Sequence, residues 1–439
     1  MYLYLKISNE IRKDIEQNKF EKKLPSIRQF MNYYGVSQST VIKALELLKV
    51  ENYVYVKKNN GYYLVSKKET VYKNDYIDFS TTSTSWTKFP LDDYSKCLEQ
   101  VINQKQRNLF RYGSEKGEDS LRQQFQEVLL NQFIYTNIDK LVITSGSQQA
   151  LHILALMIIK EKAKILIEQP TYHHMINMVE TMDVKYVTYE HNLKEFDIDK
   201  FEEVVKNHNP RFVYLMPRLH NPLGISLSER NKLNLVEFAE KYDFYIIEDD
   251  YMGDFITTTN NKTLYELDKF DRVFYLKSFS KVMFPGQRIA VSIVPYNYMN
   301  EFSNFKKIID IQTNTLSQFT MTLFIESGMY DYHVKKIVDE YKKKSVKLQD
   351  SLKKHMYMYQ FNINQNMHTI IKLPKRTNMN KLYKKFEEEK LLIDDYRLNY
   401  LKKSLHKPKF IKLNIMNTDE SRIDKGICKI KKCIELCLE

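Results

Sequence analysis

Three short stretches of the chain hold side chains whose types and spacing could do covalent or anion-binding chemistry. The first is Leu276-Lys-Ser-Phe-Ser-Lys281-Val-Met-Phe-Pro-Gly-Gln-Arg288. A lysine set among hydroxyls, with an arginine further along the same loop, suits an imine-forming amine beside a phosphate clamp. A lysine by itself is ordinarily a solvated surface charge. Here it lies between two strand-like runs, in order with the other two stretches, and that context favours the reactive reading. The second is Glu248-Asp249-Asp250-Tyr251, closing the run Phe-Tyr-Ile-Ile. A carboxylate at a buried strand end is costly unless it faces a cation, so these acids either hold a positive ligand group or cap an element at the surface. The third is Ile143-Thr-Ser-Gly-Ser-Gln-Gln-Ala, where a strand ends in a glycine turn and a helix begins at Ser147. Free N–H groups and hydroxyls at a helix start form an anion site, although such turns are common.

Metal chemistry is not expected. Cys428, Cys433 and Cys437 fall on a C-terminal helical pattern that puts Cys433 and Cys437 on one face. Neither they nor Cys97 belong to a zinc-like cluster, so packing or solvent exposure explains them. His173 and His174 are adjacent, and neighbours on one chain rarely point at the same ion; they read as structural or pocket-rim residues.

The elements that must position the reactive groups are strands and helices in alternation. KLVITSG, AKILIEQP, RFVYLMP, FYIIEDD, RVFYLKS and RIAVSIVP are strand-like, and helical stretches separate them, such as residues 226–242 with Ser226 or Ser228 as cap. This pattern predicts an α/β domain with a mostly parallel sheet, and ligands of such sheets sit at the carboxyl ends of strands. With 439 residues there is room for one large core and a small appendage. Only 10 residues are glycine, far below the usual ~7%. Those retained should therefore mark places where a Cβ does not fit, and Gly35, Gly61, Gly113, Gly117, Gly146, Gly224 and Gly286 all fall inside motifs. Charges precede any apolar run at the N-terminus, and the uncharged stretch 141–159 is broken by polar residues. Neither a signal peptide nor a membrane span is expected, and the expected location is cytoplasmic.

The appendage is the N-terminal segment. The whole chain carries a net charge of +13, and residues 1–70 hold 13 Lys+Arg against 7 Asp+Glu, or +6, in under a sixth of its length. Leu3, Leu5, Ile7, Ile11 and Ile15 form a loose helical stripe. A second helix over 27–34 is capped by Ser26 and stopped at Gly35, and a third runs from a Ser37 cap to about Val50. Two short helices around a glycine turn make a helix-turn-helix. The polar start of the third helix (Ser37, Gln38, Ser39, Thr40, then Lys43) suits base edges and phosphates, while Val41, Ala44, Leu45 and Leu48 suit the core. Residues 53–65 read as a hairpin turning at Asn60-Gly61, a wing. A helical protein–protein module is the alternative.

These motifs identify two resemblances. LPSIRQF…YGVSQSTVIKALELLK resembles the winged helix-turn-helix of GntR-type regulators over residues 2–66, which implies operator DNA as a partner, with contacts from Arg28, Ser37, Ser39 and Thr40. Gln38 stands where that family usually has arginine, and glutamine suits adenine better. Residues 78–435 resemble the class I, fold-type I aminotransferases. Joined, the two resemble the MocR/GabR-type branch of GntR regulators: residues 1–66 for DNA, 67–77 a charged linker, 78–439 an effector domain. The resemblance implies pyridoxal phosphate as a Schiff base on Lys281. It also implies Asp249 at the pyridine nitrogen, Tyr172 stacked on the ring, and Asn221 with Tyr251 at the ring hydroxyl. Ser147, Gln148, Ser278 and Arg288 are implied at the phosphate, and Tyr112 at the phosphate of a second subunit in a homodimer.

Two departures touch the substrate half. Lys412, in Phe410-Ile-Lys412-Leu-Asn, stands where the family holds the substrate carboxylate with arginine, and a lysine cannot make the planar bidentate clamp. Thr82 replaces a glycine that lets substrate approach. The expectation is a regulator in which a small amino-group effector forms an external aldimine at Lys281, with little or no transamination. The alternatives are an active aminotransferase with a DNA-binding arm, and a regulator that senses pyridoxal phosphate itself.

Overall fold

The structure is a computed structural model that describes the chain except residues 1, 18, 52, 58–59, 66–74, 194, 257–260, 363–366 and 439, together with the side chain of Trp86. It divides into two units, Met1–Asn74 and Asp75–Glu439. Lys58 of the expected wing and most of the expected linker lie outside the described residues. The linker's end lies in the large unit: Ile77 is already in a strand and buried.

In the small unit, helices α1 (Leu3–Glu16), α2 (Ile27–Tyr34) and α3 (Gln38–Val50) precede a hairpin of β1 (Val54–Lys57) and β2 (Gly61–Leu64). Ile7 and Ile11 of α1, Phe30 of α2, Val41, Ala44, Leu45 and Leu48 of α3, Leu24 and Val54 form one buried cluster. Leu3, assigned to the stripe, is exposed instead. The helix ends are fixed locally. Ser26 Oγ accepts from Gln29 N at 3.3 Å while Ser26 N donates to Gln29 Oε1 at 2.7 Å, a reciprocal capping box. Gly35 leaves α2 at φ 62°, a left-handed conformation that costs glycine nothing. Each cap is worth roughly 1 kcal/mol, a sizeable share of what so small a core supplies.

The large unit is built on a seven-stranded sheet of β4 (Leu141–Thr144), β5 (Ile165–Gln169), β6 (Tyr186–Glu190), β7 (Phe212–Leu215), β8 (Tyr245–Asp249), β9 (Val273–Ser278) and β10 (Ala290–Ile293). Their order is β4-β10-β9-β8-β7-β5-β6. β5, β6, β7, β8 and β9 pair in parallel, and β10 is antiparallel to both its neighbours. Six strands therefore end at the same edge, and β10 begins there. All the strands but the edge strand β6, which is mostly half-buried, are buried throughout, as expected for a sheet covered on both faces. Of the two cap candidates, Ser228 caps the helix Glu229–Lys241, and Ser226 Oγ instead accepts from Leu219 N.

A second lobe of this unit completes the walls of the site. The short strand β3 (Ile77–Asp78) pairs in parallel with β12 (Leu391–Leu392), and β11 (His368–Lys372) pairs antiparallel with β13 (Phe410–Asn414). The long helix Met329–His355 and the C-terminal helix Glu420–Glu435 bury their apolar faces in one cluster with these strands. Cys433 lies on that helix, but Cys437 falls just past its end; both are buried. Among the described residues no helix is long and apolar enough to cross a membrane, and no group of side chains could hold a metal ion.

Candidate functional site

A cavity of about 490 Å³ opens at the sheet edge where the six strands end. Its lining includes Ser147, Gln148, Tyr172, Asn221, Asp249, Tyr251, Ser278, Lys281, Arg288 and Lys412, ten residues singled out from the sequence. Chain direction brings them together. Ser147 and Gln148 follow β4, Tyr172 follows β5, Asn221 follows β7, Asp249 ends β8, and Ser278 ends β9. Arg288 precedes the reversed strand β10 and so arrives at the same edge. Tyr112 is not in this cavity; it is 83% exposed.

One end of the cavity is an anion cradle. The helix Ser147–Lys160 points its N-terminus into it, presenting unsatisfied N–H groups and a positive dipole end. Arg288 donates from Nη2 to Ser145 O at 2.9 Å, which locks the guanidinium over the turn. Gly146 sits beneath it at φ 82°, and a Cβ there would lie 2.6 Å from Arg288 Nη2. Glycine is thus required both by the backbone and by the arginine. Gly224, after Asn221, is equally constrained: at φ 70° its Cβ would lie 2.5 Å from His368 O.

At the base of the cavity the three consecutive acids do different work. Glu248 accepts from Leu264 N at 3.0 Å and Tyr265 N at 2.9 Å, capping a short helix. Asp250 is paired with Arg218 and accepts from Tyr275 Oη at 2.5 Å. Only Asp249 faces the cavity. Burial pushes its carboxyl up to about 6, while a hydrogen bond from Tyr214 Oη at 2.8 Å and the charge of Lys281 hold it down. Asp249 Oδ1 and Asn221 Oδ1 are buried and, among the described residues, accept no hydrogen bond. A buried acceptor left unpaired costs about 1–3 kcal/mol, so a donor brought to either would be favoured.

Lys281 Nζ donates to Thr82 O at 2.9 Å and to Thr82 Oγ1 at 2.8 Å. Burial, and after it the charge of Lys412, lower its pKa to about 8 against the opposing charge of Asp249. A lysine so placed holds about a tenth of its molecules as free base at pH 7, far more than an ordinary lysine, and a nucleophilic amine needs that form. Tyr172 lines the wall, with Gln148 Nε2 donating to its hydroxyl at 3.4 Å. Tyr251 Oη donates to Leu219 O at 2.9 Å and lies 3.3 Å from His368 Nε2. His173 and His174 line the cavity as well; burial, then the charges of His174, Lys412 and Lys281, lower His173 to about 4, so it stays neutral.

Three lining or supporting residues were not found from the sequence in these roles. Tyr214 lies inside an unbroken apolar strand and carries no signal. Asp394, beside Lys412, follows a two-residue strand, β12. Thr82 drew attention only as a missing glycine, and its role as the acceptor for Lys281 needed the folded structure.

On the small unit, Arg28, Gln38, Met31, Asn60, Gly61 and Tyr62 line one groove of about 570 Å³, so the start of α2, the start of α3 and the wing turn converge. Ser37, Ser39 and Lys43 are exposed beside it. Ser37 Oγ lies 3.0 Å from Ser39 Oγ and 2.9 Å from Thr40 Oγ1, and it also caps α3.

Residues 3–64 match the model of the family described as bacterial regulatory proteins, gntR family, and residues 74–430 match that of aminotransferase class I and II. An HTH-type transcriptional regulator of Bacillus subtilis, YcxD, is 35% identical over 97% of this chain and 98% of its own length. NorG, an HTH-type transcriptional regulator of Staphylococcus aureus, is 26% identical over 72% of this chain and 78% of its own. Among solved structures, a kynurenine aminotransferase of Pyrococcus horikoshii superposes with a TM-score of 0.77 at 23% identity, covering 84% of this chain and 92% of that one. A multiple substrate aminotransferase of Thermococcus profundus gives 0.75 at 23% identity, covering 83% and 93%. These likenesses show the fold of the large unit. The chain belongs to the GntR family of regulators, in the MocR/GabR-type branch that joins a winged helix-turn-helix to an aminotransferase class I and II domain.

Proposed function

We propose that this protein is a transcription regulator that binds pyridoxal phosphate in its large unit and uses it to sense a small amine. The observation that carries the reading is the convergence of the half-buried Lys281 amine, two unpaired buried acceptors and an anion cradle in one cavity. The residues fit the cofactor: Lys281 would hold it covalently, Asp249 would face its ring nitrogen, and Asn221 with Tyr251 its ring hydroxyl. Tyr172 would cover the ring, and Ser147, Gln148, Ser278 and Arg288 would hold the phosphate. When bound, pyridoxal phosphate supplies an aldehyde carbon that condenses reversibly with amines and a ring that withdraws electrons.

The chain's own groups prepare that chemistry. Burial and Lys412 keep Lys281 readily deprotonated, and Thr82 orients its Nζ. Tyr214 keeps Asp249 ionised near neutrality despite its burial. The exposure of Tyr112, outside its own chain's cavity, supports a homodimer in which it reaches the site of the partner. In the small unit, Arg28, Lys43 and the hydroxyls of Ser37, Ser39 and Thr40 would position the domain on phosphates while Gln38 reads a base edge. An amine that binds one conformation better would shift the dimer's geometry by that difference in affinity alone.

The test is Lys281→Ala, followed by the visible absorption of the bound cofactor and by binding to a duplex selected from random DNA by the full-length protein. Loss of the absorption, with DNA binding kept but unresponsive to amines, is expected. A variant that still responds to amines overturns the reading, and steady turnover of amino acid with keto acid by the native protein assigns it to the enzymes instead.

A further inference from the structure

Among the residues that line the cavity are two charged ones, Lys412 and Asp394, that holding the cofactor does not use. Lys412 projects from the middle of β13, paired with Ile370 of β11, and is 5% exposed. Asp394 lies just past β12, and its side chain is 42% exposed. Both line the cavity, and Lys412 Nζ stands 4.0 Å from Asp394 Oδ2. That separation is beyond hydrogen-bonding reach, and among the described residues neither side chain makes a hydrogen bond. A nearly buried ammonium therefore faces a half-exposed carboxylate in a loose ion pair, without a hydrogen bond from one to the other.

A ligand carboxylate alone would satisfy Lys412 but would come close to the like charge of Asp394. An ammonium alone would satisfy Asp394 and be repelled by Lys412. A group carrying both charges, one carbon apart, opposes each to its complement, as the head of an amino acid does. Such a head occupies the wall without leaving either charge exposed to its own sign. The opposite end of the ligand must still offer the amine that the Lys281 side of the cavity calls for.

We propose that the effector is a diamino monocarboxylic acid, bound with its zwitterionic head on Lys412 and Asp394 and its second amine toward Lys281. This rests on the sensing function proposed above and adds the class of amine sensed. The two charges act as a recognition pair, and Lys412 is more than a weakened copy of an arginine clamp: together with Asp394 it selects for a cation beside the anion.

The full-length protein, loaded with pyridoxal phosphate, is titrated with lysine, with cadaverine (lysine without its carboxylate) and with aminohexanoate (lysine without its α-amine). The absorption of the bound cofactor and calorimetry are both read. Lysine is expected to bind at least about tenfold more tightly than either analogue. Asp394→Asn is expected to remove most of its advantage over aminohexanoate, and Lys412→Met most of its advantage over cadaverine. Should Lys412→Met fail to fold, the half-exposed Asp394→Asn still decides the matter, with retained cofactor colour as its folding check. Equal binding of lysine and aminohexanoate, or a ratio unmoved by Asp394→Asn, overturns the proposal and leaves a structural ion pair. A native protein that never takes up cofactor colour overturns the sensing function itself, whereas a coloured protein that fails to discriminate overturns only the diamino preference.

Discussion

Lys43 in the small unit and Lys281 in the large one begin as the same side chain. Lys43 sits exposed on α3, where a long flexible side chain suits a phosphate backbone. Lys281 is enclosed by β9, the loop bearing Thr82 and the facing Lys412, and there the same nitrogen becomes an amine that gives up its proton near pH 8. The two units differ in the same way as wholes. The small unit offers polar groups outward from a thin core and binds through charge and shape. The large unit spends its core on desolvating a few groups, which converts ordinary side chains into reactive or strongly directional ones.

The sharpest way to break this comparison is Asp249→Ala. Loss of a buried carboxylate that faces a cofactor cation is worth roughly 3–4 kcal/mol, so cofactor affinity is expected to fall on the order of a hundredfold or more. Affinity for DNA should be unchanged in the cofactor-free protein, as measured by fluorescence anisotropy. Equal loss in both would mean that the units are not separable in this sense.

An intermediate effect is expected from pH. The lowered pKa of Lys281 means that its uncharged form is fully present above about 8 and declines below it. Capture of added pyridoxal phosphate by the cofactor-free protein should therefore slow about tenfold per unit as pH falls below 8 and level off above it. Because Lys412 contributes to the lowering, Lys412→Met should move the break to higher pH. A rate flat from pH 6 to 9 would show that Lys281 does not behave as a buried amine.

The smallest effect belongs to the exposed unit. Arg28→Ala is expected to weaken binding to every duplex by a few-fold to about tenfold and to reduce the salt slope by about one, leaving cofactor uptake unaltered. A loss confined to one sequence would instead make Arg28 a base reader.

Much of the small unit could be read directly because its determinants are neighbours in the chain. Ser26 finds Gln29 three residues on, Gly35 makes its own turn, and Ser37 caps the helix that follows it. The order of the cofactor motifs was legible for a related reason, since each lies at the end of a strand whose apolar run announces it. The partners of those motifs were not. Nothing near Tyr214 in the chain marks it as the donor to Asp249, and Asp394 and Lys412 meet only because β12 and β13 of the second lobe bring them to one wall. Among the three adjacent acids, residue chemistry alone left open which would face a ligand, and only the family resemblance pointed to Asp249. Arg218 claims Asp250 and a helix start claims Glu248, and both come from elsewhere in the chain.

From residue order alone came the two domain types, the sheet with its ligand edge, and the identity of the lysine, because helix caps, turns and strand periodicity act over a few bonds. The tertiary structure alone decided which groups are dry, which charges face one another, and so which lysine is an amine and which is a cation. Desolvation and Coulomb forces depend on distance through space, and chain position does not specify that distance until the sheet has formed.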